Sequence, residues 1–131
     1  MEHLSAGELS WEPAGEANFT GRVWFGPMSQ PPDPTGLLVL GVQFSPGART
    51  DWHRHPGGQV LYVVAGAGKV VNESGGRVAM APGDVVTIPP GEVHWHGAAA
   101  DAPMVHLSLT TGGPTEWLGE KVHDADYADP Q

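Results

Sequence analysis

The chain has 131 residues, 40% of them hydrophobic, which suits a single domain with one modest core. Fifteen acidic residues against six basic ones give a net charge of −9 at pH 7, with no Lys/Arg cluster to neutralise phosphates, so nucleic acid and anionic membrane surfaces are disfavoured as partners. Cysteine is absent, which excludes disulfides, thiolate metal sites and cysteine nucleophiles.

Residues 1–17 are polar and rich in Gly and Glu, and read as a flexible N-terminal arm. They lack a basic segment followed by an apolar one, and no run approaches eighteen apolar residues, so a soluble cytoplasmic protein is expected. The domain then runs from residue 18 to 131. Asn18–Phe25 reads as a short strand and the Pro-rich Gly26–Gly36 as a loop. Leu37–Phe44 is a strongly apolar strand, Ser45–Gly47 a turn, and Thr50–His55 a strand carrying His53 and His55. Pro56–Gly58 bends the chain into the strand Gln59–Ala65. Lys69–Asn72 and Arg77–Met80 flank Ser74-Gly75-Gly76, a hairpin signal. Strands follow at Val85–Ile88, Val93–Gly97 and Met104–Thr110. In the tail, Trp117, Leu118, Val122 and Tyr127 fall at loosely helical spacing, with Asp124 as N-cap. Many short strands with Gly/Pro turns make an all-β sandwich or small barrel.

Chemistry concentrates in two pairs, His53-Arg54-His55 and His94-Trp95-His96, each beside a Gly/Pro turn. Side chains two apart on a strand share a face, so each pair can aim at one point. Neutral imidazole is the commonest protein ligand for first-row divalent metals, and several buried imidazoles are costly without a metal or polar network. Gln59 opens the strand after the bend and can return toward His55. A neutral amide would leave the site at +2, one unit more positive than with Glu, and so a stronger Lewis acid. Trp52 and Trp95 alternate with the histidines and should face an outer core or a subunit contact. His106, Ser108 and Thr110 share one strand face toward the pocket. Either His96 or His106 can serve as general base near neutral pH, with an ordinary imidazole pKa and a rate rising between about pH 5 and 7. Leu40, Val42 and Phe44 form an apolar set, so the pocket residues expected are Leu40, Val42 and Thr110, favouring an apolar or aromatic substrate. Met80 and Met104 read as core. Arg49 and Arg54 are placed in loop or outward positions.

The pattern Gly47-x5-His53-x-His55-x3-Gln59-x6-Gly66 resembles the first motif of the cupins, and Gly83-x5-Pro89-x-Gly91-x2-His94 resembles their second, sixteen residues apart. The resemblance implies a single double-stranded β-helix, or jelly roll, with a short helical tail, and a metal held by His53, His55, Gln59 and His94. Cupins usually carry Glu where Gln59 stands and Asn where Ala98 stands. A closer likeness, from about Phe19 to Tyr127, is to small bacterial manganese cupins that are hydroxynitrile lyases. It implies manganese as the ion, with Fe, Zn, Ni, Co or Cu as other options, and reversible cleavage of a cyanohydrin to aldehyde and cyanide. His96 would then take the hydroxyl proton, and His106 or the ion's field would steady the departing cyanide. A homodimer or higher homo-oligomer is expected from the resemblance and from the apolar Val23-Trp24-Phe25 segment. The rival readings are an Fe/Mn dioxygenase, a non-enzymatic metal or small-molecule binder, and an isomerase or decarboxylase, which would want a pocket Arg or Lys.

Overall fold

The computed structural model describes residues 1–130; Gln131, the last residue of the expected domain, lies outside the described residues. After a short 3-10 turn at Ala6–Glu8 come strands β1 (Glu12–Pro13), β2 (Phe19–Thr20), β3 (Val23–Ser29), β4 (Leu38–Phe44), β5 (Arg49–Thr50), β6 (His53–Arg54) and β7 (Gln59–Gly66). They are followed by β8 (Gly68–Asn72), β9 (Arg77–Met80), β10 (Val85–Ile88), β11 (His94–Ala98), β12 (Met104–Thr110) and β13 (Glu116–Trp117), then helix α1 (Asp124–Ala128). The order β1-β3-β4-β12-β7-β10 forms one sheet. The other runs β13-β6-β11-β5-β2, with β8 on the opposite side of β11 and β9 beyond it. This is the expected all-β jelly roll.

Alternation decides what lies between the sheets. Along β12, Met104, His106, Ser108 and Thr110 are buried, while Val105, Leu107 and Leu109 are half-exposed on the outer face. Val42 and Phe44 from β4, Leu61 and Val63 from β7, and Val70, Met80, Ala98 and Met104 pack into one core, with Leu40 and Phe25 at its margin. Full burial of each large apolar side chain stabilises the fold by roughly 1.5–3 kcal/mol. Trp95 points to the other side of β11 and forms a second cluster with Val71, Val122, Tyr127 and Trp52. The two tryptophans beside the histidine pairs thus pack in an outer core under the tail, as alternation requires.

Several expectations change in detail. The strand at Thr50–His55 is interrupted at Asp51-Trp52, giving β5 and β6. Residues 26–29 belong to β3. Pro27 is tolerated because β1 pairs only with Trp24 and Phe25, so the missing amide donor falls on an uncovered stretch, and the ladder to β4 bulges just after it. The arm is not loose throughout: β1 is paired, and Trp11 lies over Gly26 and Gly41, where a Cβ at Gly41 would sit 2.7 Å from the indole. Trp117 lies in a strand, not a helix. The cap of α1 is His123, with Asp124 inside the first turn bound to Arg49. Arg49 is buried, donating to the Val122 carbonyl and the Asp124 carboxylate and stacking on Tyr127, so it clamps the tail rather than facing solvent. Among the described residues no helix is long and apolar enough to cross a membrane.

Candidate metal centre

The histidine pairs meet because β6 and β11 are direct neighbours, with His94 registered opposite His53. His55 follows β6 into the bend at Pro56–Gly58. Gly58 takes φ +82°, and a Cβ there would lie 2.8 Å from the Ile88 carbonyl oxygen, so glycine is what lets the chain turn back and bring Gln59 to the same side. His53, His55, Gln59, His94, His96 and His106 are all buried. The imidazole of His53 lies 4.3 Å from that of His94 and 5.0 Å from that of His55, centroid to centroid.

Hydrogen bonds assign the tautomers. His53 Nδ1 lies 2.9 Å from the Asp51 carbonyl and His94 Nδ1 2.9 Å from the Glu92 carbonyl. A carbonyl can only accept, so both Nδ1 atoms carry the proton and both Nε2 atoms present lone pairs. His94 Nε2 then faces Gln59 Oε1 at 2.9 Å, while the Gln59 amide group donates to Ser108 Oγ at 2.8 Å. Two acceptors at that distance repel unless a cation draws on both or the amide turns over so that its NH₂ donates to His94 and its oxygen accepts from Ser108. His55 Nε2 and His96 Nε2 are buried with no hydrogen-bond partner. Ligand atoms of His53, His94 and His96 lie within 4.8 Å of one another. The donors of His53, His94 and His96 converge and fit a divalent cation, since neutral imidazole and amide suit first-row metals; His55 stands outside that closest group, in the wall of the same cavity.

Electrostatics point the same way. Burial lowers the pKa of every one of these histidines, and neighbouring imidazoles add to the effect at His53 and His55. His55 falls to about 4, as does His106, which burial alone pushes down. His96 is held well below 6.5 by burial and then by His106. At neutral pH the cluster is therefore uncharged and ready to ligate. The expectation of an ordinary pKa near 6.5 for His96 is corrected by this burial.

A cavity of about 50 Å³ opens on the cluster. Its walls include the polar residues His53, His55, Gln59, His96, His106 and Ser108, together with Val42 and the aromatic residues Phe19, Phe25 and Trp117. Phe19 packs edge-on against both Phe25 and Trp117. His106 Nε2 lies 3.2 Å from His96 Nδ1, forming a buried imidazole pair beside the cavity. Of the expected pocket residues, Val42 is in the wall. Leu40 packs at the core margin, and Thr110 lines a separate depression with Leu37 and Pro89. The aromatic wall was not foreseen: Phe19, Phe25 and Trp117 come from β2, β3 and β13, which carry no local sign of facing a site. Structure also brings His96 beside the ligand cluster, its ring 5.2 Å from that of His53 and 4.9 Å from that of His106, centroid to centroid.

A model of the cupin domain matches residues 41–110. The (R)-mandelonitrile lyase of Granulicella tundricola is 46% identical over 112 residues, covering 83% of this chain and 85% of that protein. A gentisate 1,2-dioxygenase of a Ralstonia species is 32% identical over 76 residues, 57% of this chain but only 21% of that enzyme. Among solved structures, a cupin-like protein from Thermotoga maritima superposes with a TM-score of 0.83 at 41% identity, covering 88% of this chain and 89% of that one.

Proposed function

The chain belongs to the cupin family, and on that premise we propose that it is a metal-dependent lyase of hydroxynitrile-lyase type, cleaving a cyanohydrin reversibly to aldehyde and hydrogen cyanide. The observation that carries this reading is the meeting, in one cavity, of imidazole lone pairs, the Gln59 amide, the His96–His106 pair and a set of apolar wall residues. In this reading His53, His55, Gln59 and His94 hold the ion, manganese first among the candidates and Fe, Zn, Ni, Co or Cu after it. When bound, the ion supplies Lewis acidity toward a hydroxyl or carbonyl oxygen.

The chain's own groups carry the protons. His96 Nε2 is buried, unpartnered and, with its lowered pKa, unprotonated at neutral pH, so it accepts the cyanohydrin hydroxyl proton. As the O–H pair becomes the new C=O bond, the C–C bond breaks and its electron pair leaves with cyanide. The proton on His96 then passes to cyanide, and His106 steadies the transient imidazolium through the 3.2 Å contact to Nδ1. A low pKa helps this second transfer, since His96 does not retain the proton. Val42, Phe19, Phe25 and Trp117 exclude water and receive the apolar or aromatic group of the substrate.

The test is release of benzaldehyde from mandelonitrile by purified protein loaded in turn with Mn²⁺, Fe²⁺ and Zn²⁺. No release with any of the three overturns the reading. The partial likeness to a gentisate 1,2-dioxygenase then favours oxygen chemistry, for which oxygen uptake by the Fe²⁺-loaded protein is the check. The reading includes a cytoplasmic location and a homodimer. Tyr62, Val64 and Val85, exposed on the outer face of the first sheet, suit contact with a second copy better than Val23 and Phe25, which face inward. Sedimentation velocity at micromolar concentration tests the dimer.

A further inference from the structure

We infer that Thr115, on the C-terminal segment outside the matched cupin region, is a positioning residue that sets the orientation and tautomer of His55 and thereby the affinity of the centre for its metal. The inference rests on the reading of His55 as a ligand. His53 and His94 are each oriented by a local backbone carbonyl, from Asp51 and Glu92. His55 has a hydroxyl in that role: Thr115 Oγ1 lies 3.3 Å from His55 Nδ1, across sixty residues of sequence. Nδ1–H donating to the hydroxyl leaves the lone pair on Nε2, the buried atom with no other partner.

The placement of Thr115 follows from strand register. β13 pairs with β6 so that Glu116 faces Arg54 and Trp117 faces His53. One step further along this register brings Thr115 beside His55. The register is held by the Arg54–Glu116 ion pair at 2.7 Å and by Trp117 packed at a tilt against the His53 ring, 4.8 Å between centroids. Farther along, the segment is anchored by Arg49 on the Val122 carbonyl and by Lys121 on the carbonyls of Glu16 and Phe19. A carbonyl partner survives any side-chain substitution, but a hydroxyl does not. Among the three histidine ligands, His55 is therefore the one whose orientation a single change outside the histidine motifs can release.

The experiment uses the full chain, stripped with chelator and titrated with Mn²⁺ by calorimetry or chelator competition. Thr115→Val keeps the shape and removes the hydroxyl; Thr115→Ser keeps the hydroxyl. The expected result is a Kd for Mn²⁺ raised about 10–100-fold in Thr115→Val and near wild type in Thr115→Ser, with the melting temperature of both metal-free variants unchanged. Wild-type affinity in Thr115→Val overturns the proposal. So does equal weakening in both variants with a lowered metal-free melting temperature, which would mark a packing role. His55→Ala separates this from the underlying reading: if that variant binds Mn²⁺ like wild type, His55 is not a ligand and the assignment of the centre itself falls.

Discussion

Removing the metal and lowering the pH should destabilise this protein steeply, because its buried imidazoles are kept neutral only by the fold. His106 is fully enclosed, with a pKa lowered from 6.5 to about 4 by burial. Between those values the unfolded chain binds a proton at this position and the folded chain does not. Stability therefore rises with pH across the window and is lost as pH falls from 6.5 toward 4. From pH 7 to pH 5 the loss is about 2 kcal/mol for a shift of this size. His55, 5% exposed and likewise lowered to about 4, contributes in the same direction. Together they remove about 4 kcal/mol, a large fraction of the stability of an ordinary domain. His53, His94 and His96 shift the same way. The assay is urea unfolding of chelator-treated protein, followed by tryptophan fluorescence at pH 7 and pH 5. In His106→Gln, which cannot titrate, the fall should shrink by about 2 kcal/mol. Equal stability at the two pH values would refute the account of a neutral buried cluster, and an undiminished fall in His106→Gln would remove His106 from it.

Other outcomes follow from the site. Wild-type protein should carry close to one divalent ion per chain by elemental analysis, and His53→Ala should lose both metal and activity. Gln59→Glu should keep the ion but lower cyanohydrin cleavage, because the added negative charge weakens Lewis acidity; undiminished activity would refute the argument for a neutral ligand. His96→Ala should retain most of its metal and lose turnover by about 10²–10⁴-fold. A metal content as low as in His53→Ala would instead make His96 a ligand, as its closeness to His53 and His94 allows. In wild type, turnover should stay level as pH falls through 6.5, because burial holds the His96 pKa well below that value.

The fold and the ligand candidates were legible in the chain because both depend on local rules. Strand alternation put His53 with His55, His94 with His96, and His106 with Ser108, and turned Trp52 and Trp95 the other way. Glycines at turns marked where strands end, and the Ser74–Gly76 turn joins β8 to β9 as the expected hairpin. Tertiary structure alone decided which elements close the cavity. Phe19 and Phe25 lie far from the motifs in sequence, and Trp117 reads there as part of a helix, yet β2, β3 and β13 bring all three to one wall. Leu40 obeys its expected alternation but stops at the core margin, because position along a strand, which alternation does not encode, determines whether a side chain reaches the cavity. Arg49 is buried for the same kind of reason: its partners are on the C-terminal segment, more than seventy residues away. The protonation of His96 belongs with these cases. An isolated imidazole titrates near neutrality, and only the packing of two sheets and a second imidazole around it sets the lower value.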